Sequence, residues 1–165
     1  MKMLVLAVVT VILIVIGMAT YVLLFSQDKQ ATDSSKANAD LLFIYQGKTV
    51  KLDPSSALFE PIQKEAERMF QAADTTYKLS VSNSLIERQK REGALEVIYV
   101  KPKNMTVKFN GKTPAISRLL VPLNGRFASG REVALFYGDP DYGAFNILAT
   151  PVGLDQIREL VSKLK

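Results

Sequence analysis

The chain has 165 residues, 21 Lys and Arg against 16 Asp and Glu, and a net charge of +5; it contains neither histidine nor cysteine. Those two absences exclude Ser-His-Asp and Cys-His catalysis, thiol redox chemistry, disulfides, and zinc sites built on nitrogen or sulfur ligands. Carboxylate chemistry, Ser-Lys chemistry and oxygen-ligated hard metals remain.

From Met3 to Phe25 no residue is charged, and Leu, Val and Ile dominate. About 20 apolar residues cross a hydrocarbon core, so the run is long enough to span one. It also accounts for a mean hydropathy of +0.11 in a chain that is otherwise polar and basic. A buried core helix would show a polar face, and this run has none. A cleaved signal peptide has a shorter apolar region, and cutting at Gly17-Met18-Ala19 would leave Tyr21 to Phe25 as an apolar new terminus. The favoured reading is an uncleaved transmembrane anchor over residues 1–25. Without cysteine there is no lipoprotein anchor, and the acidic residue of a prepilin segment is missing. Lys2 lies before the anchor and Lys29 and Lys36 after it, a near balance under the positive-inside rule. The short N-terminus is expected to stay inside. The expectation is a single-pass protein of the cell membrane with its domain outside the cytoplasm.

Residues 26–40, SQDKQATDSSKANAD, contain no aromatic and no Leu, Ile or Val. Such a segment cannot join a core, and it is expected to be a flexible polar tether. Residues 41–165 then form one domain, large enough for a core of its own.

Within that domain, 41–53 reads as a β-hairpin closing around Gln46, Gly47 and Lys48. Asp53-Pro54 resembles a helix entry, and Leu58, Phe59, Ile62, Ala66, Met69, Phe70 and Ala73 follow at helical spacing. Pro61 has to sit in the first turn of that helix or kink it. Tyr77, Leu79 and Val81 alternate as a short strand would. Ser84-Leu85-Ile86-Glu87 is a capping-box pattern opening a short helix that Gly93 ends. ALEVIYV, 94–100, reads as a central strand. Met105, Val107 and Phe109 alternate into Asn110-Gly111, a strong hairpin signal. Pro114 pushes the return strand to an edge or to a start beyond it. ISRLLVPL (116–123), REVALFY (131–137) and AFNILA (144–149) are three further strands. Leu154, Ile157, Leu160, Val161 and Leu164 then mark a closing helix. Short turns between successive strands predict an α+β domain, with a mainly antiparallel sheet of about six to seven strands and two amphipathic helices covering one face.

Few residues suggest chemistry. Ser26 and Lys29 make a Ser-x-x-Lys, but in a tether nothing holds a nucleophile in place. Asp139-Pro140-Asp141-Tyr142 between Gly138 and Gly143 could be a carboxylate site, yet an EF-hand's further ligands are missing. Proline, aspartate and glycine there suit a chain reversal. Arg88, Lys90 and Arg91 are interrupted by Glu87 and Glu92. Pairs at i,i+4, Glu87 with Arg91 and Arg88 with Glu92, would make them a solvated helix face. A nucleic-acid stripe would be denser and interleaved with aromatics. Arg126 and Arg131 flank the loop FASG, and that loop and the 138–143 loop are expected at opposite ends of the sheet.

The expectation is a non-catalytic binding or structural module of the cell envelope. Asp139, Asp141, Tyr142, Arg126 and Arg131 are its candidate binding residues, with no catalytic residue, metal, cofactor or nucleic-acid partner. Its partners would be the membrane, through one transmembrane helix, and an envelope protein or anionic surface. Residues 41–165 carry 18 basic against 13 acidic side chains, a balance that draws a tethered domain toward anionic lipid or wall polymer. The alternative is a membrane-anchored hydrolase using carboxylates such as Glu132, Asp139 or Asp141. An exposed apolar patch would instead suit a structural subunit of a membrane complex.

Overall fold

Gln46 and Gly47 both take left-handed backbone angles, with φ of +50° and +76°. This geometry matches the twist of a two-residue hairpin turn. It joins β1 (Ala39–Tyr45) to β2 (Lys48–Lys51), as the sequence predicts, with Tyr45 opposite Lys48. The computed structural model describes residues 37–164 except Lys78, Gly130 and Arg131. The predicted anchor, the tether as far as residue 36, and Arg131 lie outside the described residues; the last two tether residues, Ala39 and Asp40, are instead part of β1, and the small Ala39 side chain is buried in the core. No helix among the described residues is long and apolar enough to cross a membrane.

Asp53 does not open a helix directly. Its carboxylate accepts from the Ser55 amide at 2.8 Å and the Ser55 hydroxyl at 2.7 Å. That local turn delays α1 to Phe59–Gln71, with Pro61 in its first turn, where an amide hydrogen has no helical partner to lose. The predicted strand at 77–81 also moves. β3 is Thr75–Thr76, and its ladder extends only to the Tyr77 amide, which donates to Ile147 O at 3.3 Å.

The second helix, α2 (Asn83–Glu92), is capped by Ser82 and not by Ser84. The Ser82 hydroxyl accepts from the Leu85 amide at 3.2 Å. Capping there also adds the Ile86 amide to Ser82 O bond, at 3.1 Å, to the helix. The remaining elements are β4 (Ala94–Asn104), β5 (Ala115–Pro122), β6 (Val133–Gly138), β7 (Tyr142–Thr150) and α3 (Asp155–Ser162). Residues 105–109 do not form the predicted strand. The Met105 and Val107 amides reach Pro114 O and Lys112 O across an irregular turn that retains left-handed Asn110 and Gly111.

All pairings are antiparallel, in the order β2-β1-β4-β5-β6-β7-β3. The domain is α+β with a seven-stranded sheet, and its three helices divide between the two faces. On one face Leu95, Val97, Leu119 and Leu135 pack with Ile62, Met69 and Phe70 of α1 and Ile157 of α3. On the other, Ala94, Leu120, Ala134, Phe136 and Ile147 pack with Leu85 and Ile86 of α2. The sequence reading covers one face with two helices; the short helix covers the second. Each large apolar side chain so buried contributes about 1.5–3 kcal/mol.

Candidate functional site

The face beneath α2 holds one feature that apolar packing does not explain. In β4, Glu96 lies within a run of apolar residues, on the side facing α2, and is 2% exposed. A buried carboxylate is costly unless paired. Here Oε2 is 3.0 Å from Lys90 Nζ of α2. Oε1 accepts from Tyr142 OH of β7 at 2.7 Å and from Arg118 Nη1 of β5 at 3.4 Å. Four elements therefore meet at one acid. Burial, reinforced by the Glu96 carboxylate, pushes the Tyr142 phenol well above its ordinary value. A small cavity of about 210 Å³ opens above the cluster, lined by Lys90, Arg118 and Tyr142 together with Glu87 and Asp141.

The predicted site residues separate in space. Asp139 and Asp141 belong to the loop joining β6 to β7, where Gly138 pairs with Tyr142. The Asp139 carboxylate accepts from the Ser117 hydroxyl. A Cβ on Gly138 would collide with the Asp141 carbonyl, so the tight reversal requires glycine. The stretch is a hairpin turn, and Tyr142, its last residue, reaches inward to Glu96. Arg126 lies in the connection between β5 and β6, apart from the two aspartates, and lines a different pocket with Arg88 and Arg91. Arg118, although near Arg126 in sequence, belongs to the Glu96 cluster.

The basic run of α2 is divided as well. Lys90 faces Glu96, while Arg88 and Arg91 face the opposite pocket. The expected Glu87–Arg91 and Arg88–Glu92 pairs do not form among the described residues. Glu87 turns instead toward Lys90, at 3.9 Å, and the Glu92 carboxylate lies against Gly125, where an added Cβ would strike it. Sequence reasoning missed Glu96, Lys90 and Arg118 as a unit. The available signal was a lone acid inside the apolar run ALEVIYV. Among the described residues no three acidic side chains gather as metal ligands would.

No protein-family model matches the chain, and neither a curated protein nor a solved structure shows significant similarity to it.

Proposed function

We propose that this chain is a single-pass membrane-anchored protein whose extracytoplasmic domain serves as a non-catalytic binding or structural module at the cell envelope. The apolar run from Met3 to Phe25 supports the anchor. The observation that carries the binding reading is the uneven use of charge on α2. Glu96 is spent on Lys90, Arg118 and Tyr142, whereas Arg88, Arg91 and Arg126 surround a pocket with no carboxylate among the described residues of its lining. An anionic partner, either a surface or an envelope protein, suits such a domain. The structural side of the proposal draws support from a groove of about 420 Å³ beside β2, lined largely by Phe43, Tyr45, Val50, Leu123, Val161 and Leu164.

The test has two parts. Protease added to intact spheroplasts removes the domain if the topology is right; cleavage restricted to inverted vesicles overturns it. Affinity purification from crosslinked membranes, read by mass spectrometry, then identifies what the domain touches. The hydrolase alternative draws on the presence of Asp141 and Glu87 in one cavity. It requires Asp141→Asn to abolish a turnover that the wild-type chain shows, without loss of fold.

A further inference from the structure

Ser84, Arg88 and Arg91 recur along α2 at spacings of four and three, which places them on one face. Arg126 reaches the same pocket from the connection between β5 and β6. Its guanidinium lies 4.5 Å from the centroid of the Phe127 ring. That ring is fixed edge-on by Phe136 at 5.3 Å and Tyr77 at 6.1 Å. Stacking holds a guanidinium by its face and leaves its N–H edge for a ligand.

Among the described residues, every charged side chain lining this pocket of about 310 Å³ is a cation. Small-ligand sites begin at about that size, roughly 300 Å³. Among the described residues none of the three arginines lies within ion-pairing distance of a carboxylate. The other described arginines are engaged: Arg68 with Glu65 and Arg118 with Glu96, while Arg158 donates to Leu123 O. The hydroxyls of Ser82 and Ser84 hydrogen-bond to each other at 2.9 Å, which leaves one hydroxyl hydrogen as a further donor at the rim.

Gathering three positive charges with no carboxylate in ion-pairing contact is unfavourable, and an anion relieves it. Guanidinium forks match the oxygens of carboxylate and phosphate. A single carboxylate offers two oxygens and one charge. Three forks, two from α2 and one from the connection between β5 and β6, plus a hydroxyl suit the tetrahedral, more oxygen-rich group.

We propose that the pocket bounded by Arg88, Arg91, Arg126, Ser82 and Ser84 binds a phosphate group, monoester or diester, through charge-assisted hydrogen bonds. The proposal rests on the reading that the domain works by binding, and it specifies the ligand chemistry. A lipid headgroup and a free or polymer-borne phosphate share that chemistry.

The test uses the full chain in neutral detergent micelles, with arginine Nε–Hε resonances followed by NMR. Inorganic phosphate is titrated in, against chloride at matched ionic strength. Saturable shifts confined to Arg88, Arg91 and Arg126 are expected. Arg88→Ala and Arg126→Ala should each weaken the apparent affinity about tenfold. Arg126→Lys, which keeps the charge but loses the fork, should weaken it by less. All three side chains are exposed, so the unfolding midpoint should stay put, and Arg68→Ala should leave binding unchanged. In a second arm the chain is placed in phosphatidylcholine nanodiscs with or without phosphatidylglycerol and no added phosphate. The same shifts with phosphatidylglycerol identify a lipid headgroup as ligand; shifts with inorganic phosphate alone identify a free or polymer source. Shifts that track ionic strength without saturating, or that spread equally to Arg68 and Arg118, overturn the proposal. These readouts use purified protein, so they are independent of the topology and partners found in cells. A saturable pocket on a domain that faces the cytoplasm would sink only the wider reading, and an empty pocket on a shaved, crosslinked domain only this one.

Discussion

Glu96 shows how much one side chain can constrain a sheet face. It accepts from β5, β7 and α2 at once, so its charge fixes how three elements meet. Glu96→Gln keeps the shape and an acceptor for Tyr142 but removes the buried anion between Lys90 and Arg118, leaving Lys90 only the looser contact with Glu87 at 3.9 Å. Breaking a fully buried pair costs about 3–5 kcal/mol. Lys90 and Arg118 side chains are 18% and 35% exposed, and solvent offsets part of that, so a loss of about 2 kcal/mol is expected. Urea unfolding of the full chain in detergent should show it as a lower midpoint with an unchanged slope. Lys90→Met alone should also destabilise, and the double variant should lose less than the two single losses added; strict additivity would mean that the pair does not interact. Tyr142 gives a pH signature. Its phenol is raised by burial and by Glu96, so the folded chain keeps a proton that the unfolded chain releases near pH 10. The stability this supplies is complete below about pH 10 and is lost as pH rises beyond it. Tyr142→Phe should therefore flatten the fall in unfolding free energy between roughly pH 9 and 11. An equal fall in both proteins would place the effect in Tyr99 and Tyr137, which burial also raises. None of this cluster follows from spacing. Glu96, Lys90, Arg118 and Tyr142 are brought together by sheet register and by the docking of α2, which no local pattern encodes. Only Tyr142 was legible as a candidate, because it follows a turn.

The elements themselves were far more legible, and the misses share a cause. The hairpin at Gln46-Gly47, the β5 start beyond Pro114 and the reversal at 138–142 follow from glycines that accept turn geometries and prolines that restrict φ, a local effect. The strand expected at 77–81 fails because the ladder stops at the Tyr77 amide, and Tyr77 and Leu79 alternate in order to cover the core beneath α2. The capping box at Ser84 fails for a similar reason. Two serines could each cap, and Ser82 accepts the Leu85 amide and lengthens the helix by two residues. The two serines are therefore predicted to differ in energetic weight. Ser82→Ala should cost about 1 kcal/mol, as loss of an N-cap does. Ser84→Ala, an exposed change inside the first turn, should stay within a few tenths. Thermal unfolding of the two variants decides between the caps, and a larger loss at Ser84 would mean that the helix begins two residues later.

At the scale of the whole molecule, stability should be graded across the sheet by cover on its two faces. β4, β5 and β6 lie inside the strand order and send buried residues both to the α1–α3 layer and to the α2 layer. β2 is an edge strand with all four residues exposed, and Val50 within it is 57% exposed. β3, at the other edge, has two residues. Opening an edge strand uncovers little apolar surface and breaks one ladder, whereas opening β5 disrupts both cores and two ladders. Meander connectivity reinforces this gradient, since β4, β5, β6 and β7 are consecutive in the chain and adjacent in the sheet. The Gln89 side chain adds a further tie on the α2 side, donating to Asn124 O at 2.9 Å from a buried position. Hydrogen exchange followed by mass spectrometry should accordingly find β2 and β3 exchanging fastest. β4 to β6 should exchange only through near-global opening, and α2 should lie between. If β2 proves as protected as β5 in the full chain, its outer edge is being covered by another strand. The apolar groove beside it would then be the first place to look for the partner that supplies that strand.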